Sequence, residues 1–101
     1  MLFRQGDVLV RRVEIIPDGK EIQRDEHGRL VLAYGEVTGH SHAIMMSHVR
    51  MIESTKARVL VADAPFEIVH EEHHPLVLPA GIYETWIQRE YTPSAIRSVI
   101  D

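Results

Sequence analysis

The chain has 101 residues, 45% of them hydrophobic, a formal charge of −4 and no cysteine. That length suits one domain spanning 1–101. The missing cysteine excludes disulfides, thiolate zinc sites and iron–sulfur clusters. The acidic balance and few aromatics argue against nucleic acid as a partner. No run approaches the ~18 apolar residues that span a bilayer, and Met1–Asp7 lacks the apolar stretch of a signal peptide. A cytoplasmic, non-membrane protein is therefore expected. A core this small is often helped by a metal or a second subunit, so a homo-oligomer is an open expectation.

In chain order, Val8 to Val13 alternates as a strand, with Val8, Val10 and Arg12 on one face. Pro17-Asp18-Gly19 reads as a turn. Glu21 to Glu26 is polar and reads as an exposed strand or loop. Leu30 to Tyr34 is the next strand, followed by Gly35 and Gly39 around a tight segment. Ala43 to Met46, Val49 to Glu53, Ala57 to Ala62 and Phe66 to His70 read as further strands. Leu76 to Leu78 and the long run Ile82 to Tyr91 complete the set, with Trp86, Gln88 and Glu90 placed together on one face. Thr92-Pro93 predicts a short C-terminal helical turn through Arg97. No segment holds a helical period, so the fold class is all-β, a small barrel or sandwich.

Five of the seven histidines fall in two clusters, Gly39-His40-Ser41-His42 and His70-Glu71-Glu72-His73-His74. Imidazole is the commonest metal ligand and titrates near neutrality. Protonating all seven histidines would turn the charge of −4 into +3. On a strand, His40 and His42 project side by side. If the second cluster continues as a strand, His70, Glu72 and His74 share one face and Glu71 and His73 the other. A turn before Pro75 instead brings His70 and His73 around one point. The preferred metal ligands are His40, His42, His70 and His73, binding zinc, iron, manganese or nickel. Solvated histidines on an acidic rim are the bland alternative. Glu72 and Glu90 are the candidate catalytic bases, and Gln88 is a candidate to orient an imidazole.

Gly39-His40-Ser41-His42 followed by Pro79-Ala80-Gly81-Ile82-Tyr83 resembles a reduced cupin signature. The resemblance implies a metal held in a small β-barrel. Ala43 to His48 contains no glutamate and Ile82 to Arg97 no histidine. In a cupin-like barrel the remaining ligands must then come from His70 to His74. The chain also resembles a group of short uncharacterised bacterial and phage proteins. The matching stretches are Gln5 to Leu9, Gly35 to His42, and Glu72-His73 through Leu78-Pro79-Ala80-Gly81 to Gln88-Arg89-Glu90-Tyr91. That resemblance implies no activity.

Two functions follow as expectations. One is a metal-binding barrel, extending to a metal-dependent hydrolase or isomerase acting on a small molecule of unknown identity. The other is a non-catalytic structural or interaction subunit of a bacterial or phage assembly, using its exposed strand edges.

Overall fold

The computed structural model describes residues 1–35, 39–55 and 57–88. Ten strands run in the order β1 (Leu2–Gln5), β2 (Val8–Val13), β3 (Lys20–Glu21), β4 (Leu30–Tyr34), β5 (Ser41–Ile44), β6 (Val49–Glu53), β7 (Arg58–Ala62), β8 (Phe66–Ile68), β9 (Leu76–Leu78) and β10 (Gly81–Ile87). Six of them form one antiparallel sheet, ordered β1-β2-β10-β7-β6-β3. Two smaller pairs, β4-β5 and β8-β9, complete the described structure. Among the described residues no helix is long and apolar enough to cross a membrane.

The register of the large sheet sorts its side chains. Val8 faces Ile87 and Gln5; Val10 faces Thr85 and Phe3; Tyr83 faces Leu60, which faces Met51. Cross-strand partners share a face, so these residues form one inward row. They meet Leu30, Leu32 and Ile44 from the β4-β5 pair and Phe66, Ile68 and Leu78 from the β8-β9 pair in one continuous core. The two small pairs thus cover one face of the large sheet, a sandwich-like arrangement. Tyr83 joins the layers: it is fully buried, its ring meets Phe3 and Phe66 edge-on, and its hydroxyl donates to the Pro79 carbonyl at 2.8 Å.

One expectation changes, and two features are added. The sheets are open rather than closed into a barrel, cupin-like closure included, because β1 and β3 end the large sheet unjoined. The Trp86 face of β10 points outward; Trp86 is 38% exposed, with the Arg11 guanidinium over its ring. The inward face belongs to Tyr83 and Thr85, both buried, with the Tyr83 hydroxyl satisfied by the Pro79 carbonyl. A strand absent from the sequence reading, β1, ends on the buried Gln5. The helical turn expected from Thr92 to Arg97, and Glu90, lie outside the described residues.

The segment read as exposed between Glu21 and Glu26 contains a clamp. Arg24 donates to the carbonyls of Gly28, Met46 and Val49 at 2.7–2.8 Å. Three carbonyls, from the loops at Gly28 and Met46 and from the start of β6, are satisfied by one planar cation, a geometry that a lysine ammonium cannot copy. Arg24→Lys is expected to lower stability by about 1–3 kcal/mol. Urea denaturation checks this, and an unchanged midpoint would show the clamp to be dispensable.

Candidate functional site

One isolated bridge builds most of the site. Ala43 of β5 and Val69, just past β8, exchange both backbone hydrogen bonds at 3.0 and 2.9 Å. Counting outward along antiparallel chains from that pair sets His42 opposite His70, Ser41 opposite Glu71 and His40 opposite Glu72. Each contact is present. The His42 and His70 rings lie 4.3 Å apart between centroids. The Ser41 N–H donates to Glu71 at 2.9 Å. His40 Nδ1 stands 3.2 Å from a Glu72 oxygen. That approach lies outside hydrogen-bond geometry, so His40 Nδ1 remains buried without a hydrogen-bond partner. A chain from Asp25 through Arg29 to the Ser41 hydroxyl braces the same segment.

His73 completes a group of four rings, 4.7 Å from His70 and 5.8 Å from His42, with His40 5.9 Å from His70. The four expected metal ligands therefore surround one pocket of about 260 Å³, which Asp7, Gly35 and Glu72 also line. β8 ends at Ile68. The register count still places His70, and the bend of the chain over residues 71–73 brings His73 round to the same pocket.

The wall opposite these clusters is the β1-β2 turn. Gln5 pairs with Val8, leaving Gly6 and Asp7 as a two-residue turn with Gly6 at φ 59°. A Cβ on residue 6 would lie 2.8 Å from His73 Nε2 and 3.2 Å from His42 Cε1. The absence of a side chain therefore lets the turn sit against both imidazoles. Asp7 Oδ1 lies 3.6 Å from His42 Nε2.

His42 is 3% exposed and its Nδ1 meets Gln5 Oε1 at 2.8 Å. Gln5 is equally buried and spends both amide hydrogens on the carbonyls of Ile68 and His74, at 2.8 and 2.9 Å. Burial, then the neighbouring charge of His70, pushes the His42 pKa below its ordinary 6.5, against the opposing pull of Asp7. The Ser41 N–H, then its own backbone N–H, hold Glu71 below the usual carboxylate value.

Gln5 and Asp7 escaped the sequence reading. The only signal was their place in the Gln5-Gly6-Asp7 stretch of the short-protein resemblance. Gln88 is not at the pocket: its side chain accepts from Arg4, and its N–H donates to the Asp7 carbonyl. The glutamine that orients an imidazole is Gln5. His27 contacts Glu26 on the surface and His48 meets the Pro65 carbonyl, both away from the pocket. Glu72 is exposed at the pocket rim. Among the described residues, no three His, Asp or Glu side chains are gathered as they stand to hold a metal ion.

The chain belongs to the family described as Domain of unknown function (DUF8820), whose model matches residues 4–88. The matched span takes in both histidine clusters and the Gln5-Gly6-Asp7 turn. Comparison with curated proteins and with solved structures found no match.

Two outcomes follow. Gly6→Ala places a Cβ at positive φ and against His73, so a loss of about 1–2 kcal/mol is expected with displacement of the His73 ring. Thermal melting and the His73 NMR signals check it; an unchanged melt would contradict the close approach.

The second outcome concerns pH. Unfolded His42 takes up its proton near 6.5 and folded His42 only at lower pH, so the unfolded chain binds more protons between those values. His42's contribution to stability is therefore full above about 6.5 and is lost as pH falls through the folded value. His42→Asn keeps a donor toward Gln5 and cannot titrate. In chelator, its stability should fall less than that of the parent between about pH 7.5 and 5.5. Equal slopes in denaturant titrations would contradict the assignment.

Proposed function

We propose that this protein binds a divalent transition metal (zinc, iron, manganese or nickel) in the pocket formed by His40, His42, His70 and His73. We extend the ligand set to Asp7. The observation that carries the reading is the meeting of His42 and Asp7. A neutral His42 bonded through Nδ1 turns a bare lone pair toward a carboxylate oxygen 3.6 Å away. Two acceptors facing each other are a pair that a cation can bridge. Two ligands of one tetrahedral zinc stand ~3.4 Å apart, from metal–ligand distances of ~2.1 Å.

Ring spacing supports the same reading. The His42 and His73 ring centroids stand 5.8 Å apart, close to the spacing of about 5 Å for imidazoles that share one metal. His73 is exposed, so its ring has room to rotate toward His42 and Asp7 as the third ligand. Three protein ligands leave a position open for a small molecule, the arrangement that serves metal-assisted hydrolysis or isomerisation. Glu72 at the rim is the candidate base for that chemistry.

Protein purified without a histidine tag is expected to carry about one metal ion per chain by elemental analysis. At a hundredfold excess over Kd the metal should add ~2.7 kcal/mol of stability, a rise in Tm of roughly 10 °C or more. Chelator should reverse the rise, and His42→Asn with His73→Asn should abolish it. Metal-free protein whose Tm ignores added zinc, nickel, manganese and iron would contradict the proposal.

A further inference from the structure

Gln5 is the most buried polar side chain of the β1-β2 hairpin, and its orientation is decided by its neighbours. Ile68 and His74 present carbonyl oxygens, which only accept. The Gln5 amide nitrogen must face them, so its oxygen must face His42 Nδ1. An amide oxygen also only accepts, so Nδ1 carries the hydrogen. In neutral His42 the lone pair is then on Nε2, on the side of Asp7 and His73.

His70 is held the other way. The Glu72 backbone N–H donates to His70 Nδ1 at 3.0 Å. A nitrogen that accepts carries no hydrogen, so neutral His70 has its hydrogen on Nε2. Two rings 4.3 Å apart are thus bonded from behind by groups of opposite sense.

We infer that Gln5 is a positioning residue that presets His42 as a ligand through Nε2, while the Glu72 backbone keeps His70 out of the ligand set as a hydrogen-bond donor to whatever fills the pocket. This rests on the metal-binding reading for its purpose, but not for its measurement. It gives three of the four histidines unlike roles. His42 joins Asp7 and His73 as an electron-pair donor. His70 offers Nε2–H to an acceptor oxygen on a bound small molecule, such as a carboxylate or phosphate. It also explains why a buried glutamine ends an edge strand: a leucine there would pack as well but leave two carbonyls and one imidazole N–H without partners.

The test is a long-range proton–nitrogen correlation spectrum of the histidine rings in metal-free, nitrogen-15-labelled protein above neutral pH. His42 should show a protonated Nδ1 and a bare, downfield Nε2; His70 should show the reverse. Averaged tautomers at His42, or a protonated Nε2 there, would overturn the inference whether or not the protein binds metal.

Gln5→Glu and Gln5→Leu separate positioning from packing. The glutamate still accepts from Nδ1 but no longer donates to the two carbonyls. It should keep the His42 tautomer while lowering Tm. The leucine should lose the tautomer, and zinc affinity should fall about 10–100-fold relative to the parent. Affinity in Gln5→Glu is expected to stay within about threefold, because the ring remains oriented. Equal affinity in Gln5→Leu and the parent would overturn the positioning role. Should Gln5→Leu fail to fold, the spectrum of the unmodified protein still decides the tautomers. A correct spectrum with no zinc binding would leave the tautomer assignment standing and refute the metal reading alone.

Discussion

The pocket depends on one backbone register. Ala43 and Val69 exchange two hydrogen bonds, and that pairing alone sets His42 beside His70, Ser41 beside Glu71 and His40 beside Glu72. A slip of one residue would turn every one of these side chains to the other face. The bridge does not slip because both flanks are fixed. Ile44 and Ile68 are fully buried in the common core, and Arg29 and Glu71 grip Ser41 from outside.

The β1-β2 hairpin closes the third side through polar contacts as well as packing. Phe3 on β1 meets the Tyr83 ring, while Gln5 two residues later reaches across to the Ile68 and His74 carbonyls. Ile68 lies two residues before the second histidine cluster and His74 is its last member. The amide thus ties the cluster to the large sheet at the same time as it bonds His42. Gly6 then brings the turn against the rings, and Asp7 supplies the negative charge that a histidine-only site would lack. Burying Gln5 and His42 without partners would cost several kcal/mol. Their mutual bond makes a polar interior tolerable next to an aliphatic core.

Much of this was legible in the chain. Runs rich in Val and Leu mark β2, β4 and β7, most of whose apolar residues are buried. Two glycine-flanked or acid-flanked histidine clusters in a chain without cysteine point to the segments that meet. Other parts were not legible, for identifiable reasons. β1 is a short edge strand whose one fully buried residue is polar, so no hydrophobic period announces it. The inward face of β10 turns on Tyr83, whose hydroxyl needs the Pro79 carbonyl, a partner that no local pattern reveals. His73 reaches the pocket through the bend over residues 71–73, where alternation no longer sorts the faces. Asp7 looks like an ordinary turn residue until the turn is set against His42.

The central claim is that His42 and Asp7 face each other as the anchored half of a metal site. The most direct measurement is anomalous diffraction at the zinc absorption edge from crystals of the untagged protein grown with zinc. The account predicts one strong peak within bonding distance of both His42 Nε2 and Asp7, with His73 turned toward it and His70 still accepting from the Glu72 N–H. Peaks only at surface histidines such as His27, with the His42–Asp7 gap unfilled, would contradict it.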